Sequence, residues 1–190
     1  MDSSVDEFFF IETYIDFYSS IGRLAIAHSK LEQAIDFVIS RLLGLTDDKY
    51  ILIEGKIRSL STRMELLEET AHVVVHDPVL LGELDEMLIA ARAANTFRNR
   101  IMHDQWAGAK GTGSAGSTDP IVYDTAFKRR LVRSSKQKTS TQQQSEYSLT
   151  EIDSISRRSI ALSLHLAYWL QQAGYFPGKK LAGPPPWPYK

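Results

Sequence analysis

The sequence contains no cysteine. That removes disulfides, thiolate nucleophiles and every cysteine-ligated zinc or iron–sulfur site. It also lacks a dominant sign of charge: Lys+Arg 22 against Asp+Glu 23 leaves a net charge of -1, so no global basic field draws nucleic acid and any such surface must be a local patch. Long hydrophobic runs are missing as well. The most apolar later stretch, Ile160 to Leu170, is interrupted by Ser163 and His165 and falls well short of the ~20 residues that span a bilayer. The first seven residues, Met1 to Glu7, are acidic where a signal peptide needs positive charge, and Phe8 to Ile11 is too short for its apolar region. No internal repeat is visible. A soluble, cytoplasmic protein without a membrane partner is the expectation.

What remains is an ordinary globular chain. A length of 190 residues suits one domain with a real core, and 43% hydrophobic against 24% charged residues argues against wholesale disorder. Apolar residues at 5, 8, 11, 15 and 18 predict an amphipathic helix over Val5 to Tyr18. A second helix fits Ile21 to Leu43, with the stripe Leu24, His28, Leu31, Ile35, Val38 and Leu42, stopped by Gly44. A third is predicted from about Thr62, where Thr62 and Glu65 match a capping box, to about Val75. Asp77-Pro78 supplies an N-cap and a first-turn proline for a fourth, running through Leu81, Leu84, Leu88 and Ala91 toward His103.

After Trp106 the composition shifts. Ala107 to Pro120 is rich in Gly, Ser, Thr and Ala and reads as a flexible loop. A strand starting at Ile121-Val122-Tyr123 can return after the polar stretch Ser134 to Ser145 as a loose hairpin. Ser148 and Glu151 form a second capping box, opening a last helix from Ile152 to about Gln172. Pro184 to Pro188 reads as extended polyproline. The expected fold is therefore all-α, an antiparallel bundle of four to five helices with an irregular, hairpin-bearing insertion at about 107–147. One helical domain is expected over 1–176, with a Pro-rich tail at 177–190.

The segment that carries chemistry is Asn95 to His103. At roughly 100° per residue, Leu80, Leu84, Met87, Ala91 and Met102 cluster on one side of the fourth helix, with Arg98 in their midst and Asn95 at the flank. A guanidinium on a packing face needs a polar partner or it costs several kcal/mol. Arg92, Thr96, Asn99 and His103 form a polar ribbon beside that stripe. Arg98 and His103, five residues apart, diverge by roughly 140°, so they converge only if the arginine curls round. A second, antiparallel copy of the helix across a two-fold axis would bring further Arg and His groups into one cleft. Arginine holds phosphate bidentately, histidine moves protons near neutral pH and asparagine can orient either. Together they suffice for metal-independent RNA cleavage, in which the ribose 2′-hydroxyl attacks its own phosphate and DNA is spared.

Arg98-Asn99-Arg100-Ile101-Met102-His103 resembles the Arg, polar residue, three residues, His pattern of HEPN-domain proteins. The resemblance covers about Ile21 to Trp106 and the final helix. It implies a helical homodimer with facing motifs and a metal-independent endoribonuclease, with no cofactor, of the kind found in prokaryotic toxin–antitoxin, abortive-infection and phage-defence systems. By that analogy Arg98 and His103 are catalytic and Asn99 supports them. Glu32 and Asn95 are candidate accessory residues. One toxin subfamily carries a tyrosine two residues after the histidine as a modification site; here that residue is Gln105, so this regulatory scheme does not carry over. An antitoxin or other defence-system partner remains implied.

Other polar groups have plainer readings. His28 on the second stripe fits a hydrogen-bonded core or interface histidine. Glu69, His72 and His76 share a face but lack a fourth ligand, so no metal site is expected. Lys128, Arg129, Arg130, Arg133, Lys136 and Lys138 occur with no acidic residue between them, next to Phe127 and Tyr123, and with Arg92 and Arg100 they are candidate RNA-backbone contacts. The rival function is a non-catalytic helical dimer that binds nucleotide, RNA or a partner protein in the same groove.

Overall fold

Helix-forming periodicity governs most of the chain, and the computed structural model follows it. It describes residues 15–57, 59–103, 105–112, 122–133, 140–178 and 181–183. Five helices are present among them: α1 (Ile15–Leu42), α2 (Asp47–Glu54), α3 (Leu60–Val74), α4 (Pro78–His103) and α5 (Leu149–Gln172). Between α4 and α5 run three strands, β1 (Gln105–Thr112), β2 (Val122–Arg133) and β3 (Ser140–Ser148). The protein is a helical bundle, and its insertion is a small sheet.

Several boundaries follow from identifiable chemistry. The expected stripe of α1 is buried throughout, from Leu24 and His28 to Val38 and Leu42. The expected break between Tyr18 and Ile21 does not occur. Phe17, Ser20, Leu24 and Ala27 keep the three-four spacing and are all buried. The Ser19 and Ser20 hydroxyls, which could compete with the backbone, instead accept from the Arg23 guanidinium at 2.9 and 2.7 Å. The earlier part of the expected first helix, residues 5–14, lies outside the described residues. At the other end Gly44 adopts φ 63°, and the bonds Leu45 N to Ser40 O and Gly44 N to Arg41 O close a Schellman motif. Gly174, at φ 83°, ends α5 the same way, with Tyr175 N donating to Leu170 O.

The start of α3 corrects the expected Thr62–Glu65 box. Ser59 is the N-cap, accepting from Thr62 N at 3.1 Å. Asp77 caps α4 as expected, with Val79 N donating to its carboxylate at 2.8 Å. The Ser148–Glu151 box also forms, with Glu151 N donating to Ser148 Oγ at 3.1 Å and Ser148 N to the Glu151 carboxylate at 2.9 Å. Helix α2 has no counterpart in the sequence reading. Tyr50, Ile51, Leu52 and Ile53 are contiguous and so give no helical period; only Tyr50 among the helix's residues is buried.

The described part of the insertion is a three-stranded sheet rather than a loose hairpin. Its sheet is antiparallel in the order β1-β2-β3. The loop expected over Ala107 to Pro120 is corrected in its first part, because β1 pairs with β2 from Gln105↔Arg129 to Thr112↔Val122, with irregularities between Trp106 and Gly108 and between Lys110 and Gly111. Its glycines fit such bulged pairing. The polar stretch is likewise corrected in its second part: residues 140–145 belong to β3, which pairs with β2 from Thr125↔Ser148 to Arg133↔Ser140. Residues 113–121 and 134–139, and the polyproline 184–188, lie outside the described residues.

The chain packs as two compact units: residues 1–25 with 98–155, and residues 26–97 with 156–190. The second unit holds the main core, including Leu31, Ile35, Met64, Leu67, Leu84, Leu88 and Trp169. Trp169 illustrates how a large side chain is accommodated there: its ring is 1% exposed while Nε1 donates to Leu80 O at 2.7 Å, which satisfies the one polar atom. In the first unit, Phe17, Leu24, Ile101, Tyr147 and Ile152 are buried. Arg23 donates to the Asp153 carboxylate at 3.1 Å and links the beginnings of α1 and α5.

Candidate active site

The site is built on the last two turns of α4. Buried residues along this helix are Leu84, Met87, Leu88, Ala91, Ala94 and Ile101. Stepping by three or four from Ala94 toward Ile101 lands on position 98. Arg98 therefore occupies the packing seam, as the spacing predicts. Met102 does not belong to that seam; it is 39% exposed, and Ile101 takes the buried position. The correction amounts to a rotation of about 100°, one residue, at the end of the helix.

Arg98 is half-buried. Its Nη1 donates to Asn99 Oδ1 at 3.0 Å. Its Nε is buried and has no hydrogen-bond partner among the described residues. Asn99 and His103 are exposed and stand one helical turn apart. The guanidinium thus meets the asparagine, which stands one turn before the histidine on the same helix. Arg100 and His103 lie in the last turn of α4, at the negative end of the helix dipole. The three motif residues lie in the same compact unit.

The other candidates are placed differently. Arg92 is paired with Glu68 on α3, and Asn95 donates to Ser61 Oγ at 3.4 Å; both link α4 to α3. Thr96 Oγ1 donates to the Arg92 carbonyl at 2.9 Å, so the polar ribbon partly bonds to its own helix. Glu32 is half-buried and lies 3.8 Å from His28 Nε2, one turn earlier on α1. Both Glu32 and His28 belong to the second unit. His28 is 2% exposed. Lys128, Arg129, Arg130 and Arg133 lie on the central strand β2. Among the described residues no cluster of three His, Asp or Glu side chains is arranged to hold a metal; His72 Nδ1 is 2.9 Å from Glu68 O. No helix among them is long and apolar enough to cross a membrane.

No family model, curated protein or solved structure matches the chain.

One polar network escaped the sequence reading. Asp36 on α1 accepts from Tyr50 Oη on α2 at 2.7 Å and pairs with Arg63 on α3. Arg63 also lies 3.7 Å from Glu54 and donates Nε to the Ile57 carbonyl at 3.3 Å. The Asp36 and Arg63 side chains are 11% and 14% exposed. Burial raises the Asp36 carboxyl above its ordinary range, outweighing the Tyr50 hydrogen bond and the Arg63 charge, which lower it. Burial, and then the bond to Asp36, push the Tyr50 phenol well above its ordinary value. The signal was present: Asp36 interrupts the apolar positions Ile35, Val38 and Ile39, and Arg63 adjoins Met64. An acid and a base inside two apolar stripes are readily paired.

Proposed function

We propose that the protein is a metal-independent endoribonuclease of HEPN type, acting in the cytoplasm as a prokaryotic toxin or phage-defence effector. Its site would combine the α4 ends of two copies. The observation that supports this reading is Arg98. A cation stands in the seam between Ala94 and Ile101 with Nη1 turned to Asn99 and a buried Nε lacking a partner among the described residues. A buried donor left unmet costs about 1–3 kcal/mol, and no acidic side chain pairs with Arg98 among the described residues. A phosphodiester supplies the missing acceptor.

In the proposed reaction the ribose 2′-oxygen bonds to the adjacent phosphorus and the 5′-oxygen leaves, giving a 2′,3′-cyclic phosphate and a 5′-hydroxyl. His103 takes the 2′-hydroxyl proton or delivers one to the leaving oxygen; the partner copy's site provides the second transfer. Arg98 stabilises the charge on the pentavalent phosphorus, and Asn99 orients the guanidinium and the substrate. DNA lacks the nucleophile and is spared.

The test is cleavage of RNA in the presence of a chelator. Wild type is expected to cut RNA and leave DNA of the same sequence intact. His103→Ala is expected to lose about 10²- to 10⁴-fold in rate while its melting temperature and dimer mass stay unchanged. Intact RNA after incubation with folded wild-type dimer would favour the non-catalytic binding module instead.

A further inference from the structure

Six cations of the insertion are segregated in sequence, and the four on β2 have no acidic register partner in the sheet. Residues 125–145 carry six of the chain's 22 Lys+Arg and none of its 23 Asp+Glu, so the rest of the chain is net −7 around a +6 segment. Four of the six lie on β2. The register places uncharged residues beside each of them. Lys128 faces Trp106 on β1 and Ser145 on β3; Arg129 faces Gln105 and Gln144; Arg130 and Arg133 face Gln143 and Ser140 on β3. A sheet normally relieves like charge with cross-strand carboxylates. Here that option is unused along six consecutive residues, although the chain is slightly acidic overall.

Aromatic residues share the same strands. Tyr123 and Phe127 lie on β2, and Trp106 is the register partner of Lys128. Cations along a backbone track with interspersed aromatics is the composition that binds single-stranded nucleic acid without reading its sequence. Charge complementarity thus selects a polyanion, and the aromatics select one with exposed bases.

We infer that the β1-β2-β3 sheet, through the Lys128–Arg133 strand, whose cations have no carboxylate as a register partner, is a binding platform for the phosphodiester backbone of single-stranded nucleic acid. The inference extends the proposed nuclease reading by naming how substrate is held, but it stands on different residues and has its own readout. Phosphates and base faces are common to RNA and DNA, so the platform binds both. Discrimination against DNA then falls at the chemical step, where the 2′-hydroxyl is required.

The experiment measures binding of the full chain carrying His103→Ala to labelled 12-nucleotide probes: oligouridine, oligodeoxyuridine and a duplex of equal length. Fluorescence anisotropy is recorded from 50 to 300 mM KCl. Oligouridine and oligodeoxyuridine are expected to bind within threefold of each other and at least tenfold more tightly than duplex. The salt slope should fall by about 0.7 for each cation removed that contacts a phosphate. Lys128→Gln/Arg130→Gln and Arg129→Gln/Arg133→Gln double variants, and the quadruple variant, are compared at matched melting temperature; the doubles suffice if the quadruple does not fold. An unchanged slope in both doubles overturns the inference. So does equal competition by polyglutamate, which offers charge without phosphates or bases, or the absence of binding at 50 mM salt. Failure of wild type to cleave RNA, with the slope and its loss as described, would sink the nuclease reading and leave the platform standing.

Discussion

Removing the Asp36 carboxylate tests the polar network most directly. In Asp36→Ala, the buried Tyr50 hydroxyl loses the acceptor now 2.7 Å away, and Arg63 loses its main counter-ion. Stranding one partner of a buried ion pair costs about 3–5 kcal/mol, and an orphaned buried hydroxyl about 1–3 kcal/mol. Arg63 retains Glu54 at 3.7 Å and the Ile57 carbonyl at 3.3 Å, so the lower end applies. About 3 kcal/mol is expected, which is roughly 150-fold in the folding equilibrium. For a chain of this length that corresponds to a fall of about 6–12 °C in melting temperature.

Two companions separate pairing from packing. Asp36→Asn retains an acceptor and should cost less than Asp36→Ala. Replacing Asp36, Tyr50 and Arg63 together by Leu, Phe and Met removes the charges as a set, and should come within about 1 kcal/mol of wild type or exceed it. Urea denaturation followed by circular dichroism reads all of these. A loss below about 1 kcal/mol in Asp36→Ala would show that the network does not hold α1, α2 and α3 together, and the argument from burial would fail. The pH dependence has a definite sign. A carboxyl whose folded pKa is raised contributes stability at low pH that is lost as pH rises. The advantage of wild type over Asp36→Asn should therefore narrow as pH rises above the ordinary carboxyl value of 3.8.

Tyr50 gives the alkaline counterpart. Its folded pKa is raised above 10.0, so its contribution is complete below that pH and is lost above it as the unfolded phenol ionises; Tyr50→Phe should flatten the stability decline above about pH 10 in denaturation series. His165 is buried, and burial lowers its imidazole below the ordinary 6.5. Its contribution is therefore present above 6.5 and lost as pH falls through the folded value, and His165→Gln should lose less stability than wild type between pH 7.5 and pH 5 in thermal melts. Ser148→Ala removes the acceptor of the Glu151 amide and should cost about 1 kcal/mol, read as a lower urea midpoint at unchanged slope.

The helices were legible where local chemistry and burial agree. Asp77-Pro78 and Ser148–Glu151 name their helix starts because each cap closes within four residues. The Gly44 stop is equally local, requiring a positive φ. Thr62 misled because a neighbouring serine, Ser59, offers the same hydroxyl three residues earlier, and spacing alone does not say which one the backbone leaves exposed. Helix α2 was hidden because its single buried residue, Tyr50, is held by a partner 14 residues away, and no periodicity records such a contact. The β1 pairing was hidden for a related reason. Its glycines and alanines read as a loop, and only the presence of β2 beside them gives their amides a ladder to join. At the site, the seam position of Arg98 was legible from spacing, whereas the exposure of Met102 was not: a one-residue drift near a helix end exchanges Met102 for Ile101.

Arg98 itself offers the sharpest separation of a structural arginine from a functional one. If it serves the fold, its removal should destabilise the protein as Asp36→Ala does. If the seam tolerates it for another purpose, an apolar side chain should suit the seam better. Position 98 lies between Ala94 and Ile101, 2% and 1% exposed. Arg98 makes one side-chain hydrogen bond there among the described residues, to an exposed asparagine, and leaves Nε unmet. Arg98→Leu removes that unmet donor and adds apolar contact at a half-buried position, for a gain of about 1 kcal/mol. The expected result is a variant that melts about 2–4 °C higher and has lost the activity proposed for the site. Arg98→Lys should restore little, since an ammonium cannot reproduce a planar bidentate grip. A loss of 2 kcal/mol or more in Arg98→Leu would instead make the guanidinium part of the fold. The reason for placing a phosphodiester beside it would then be gone.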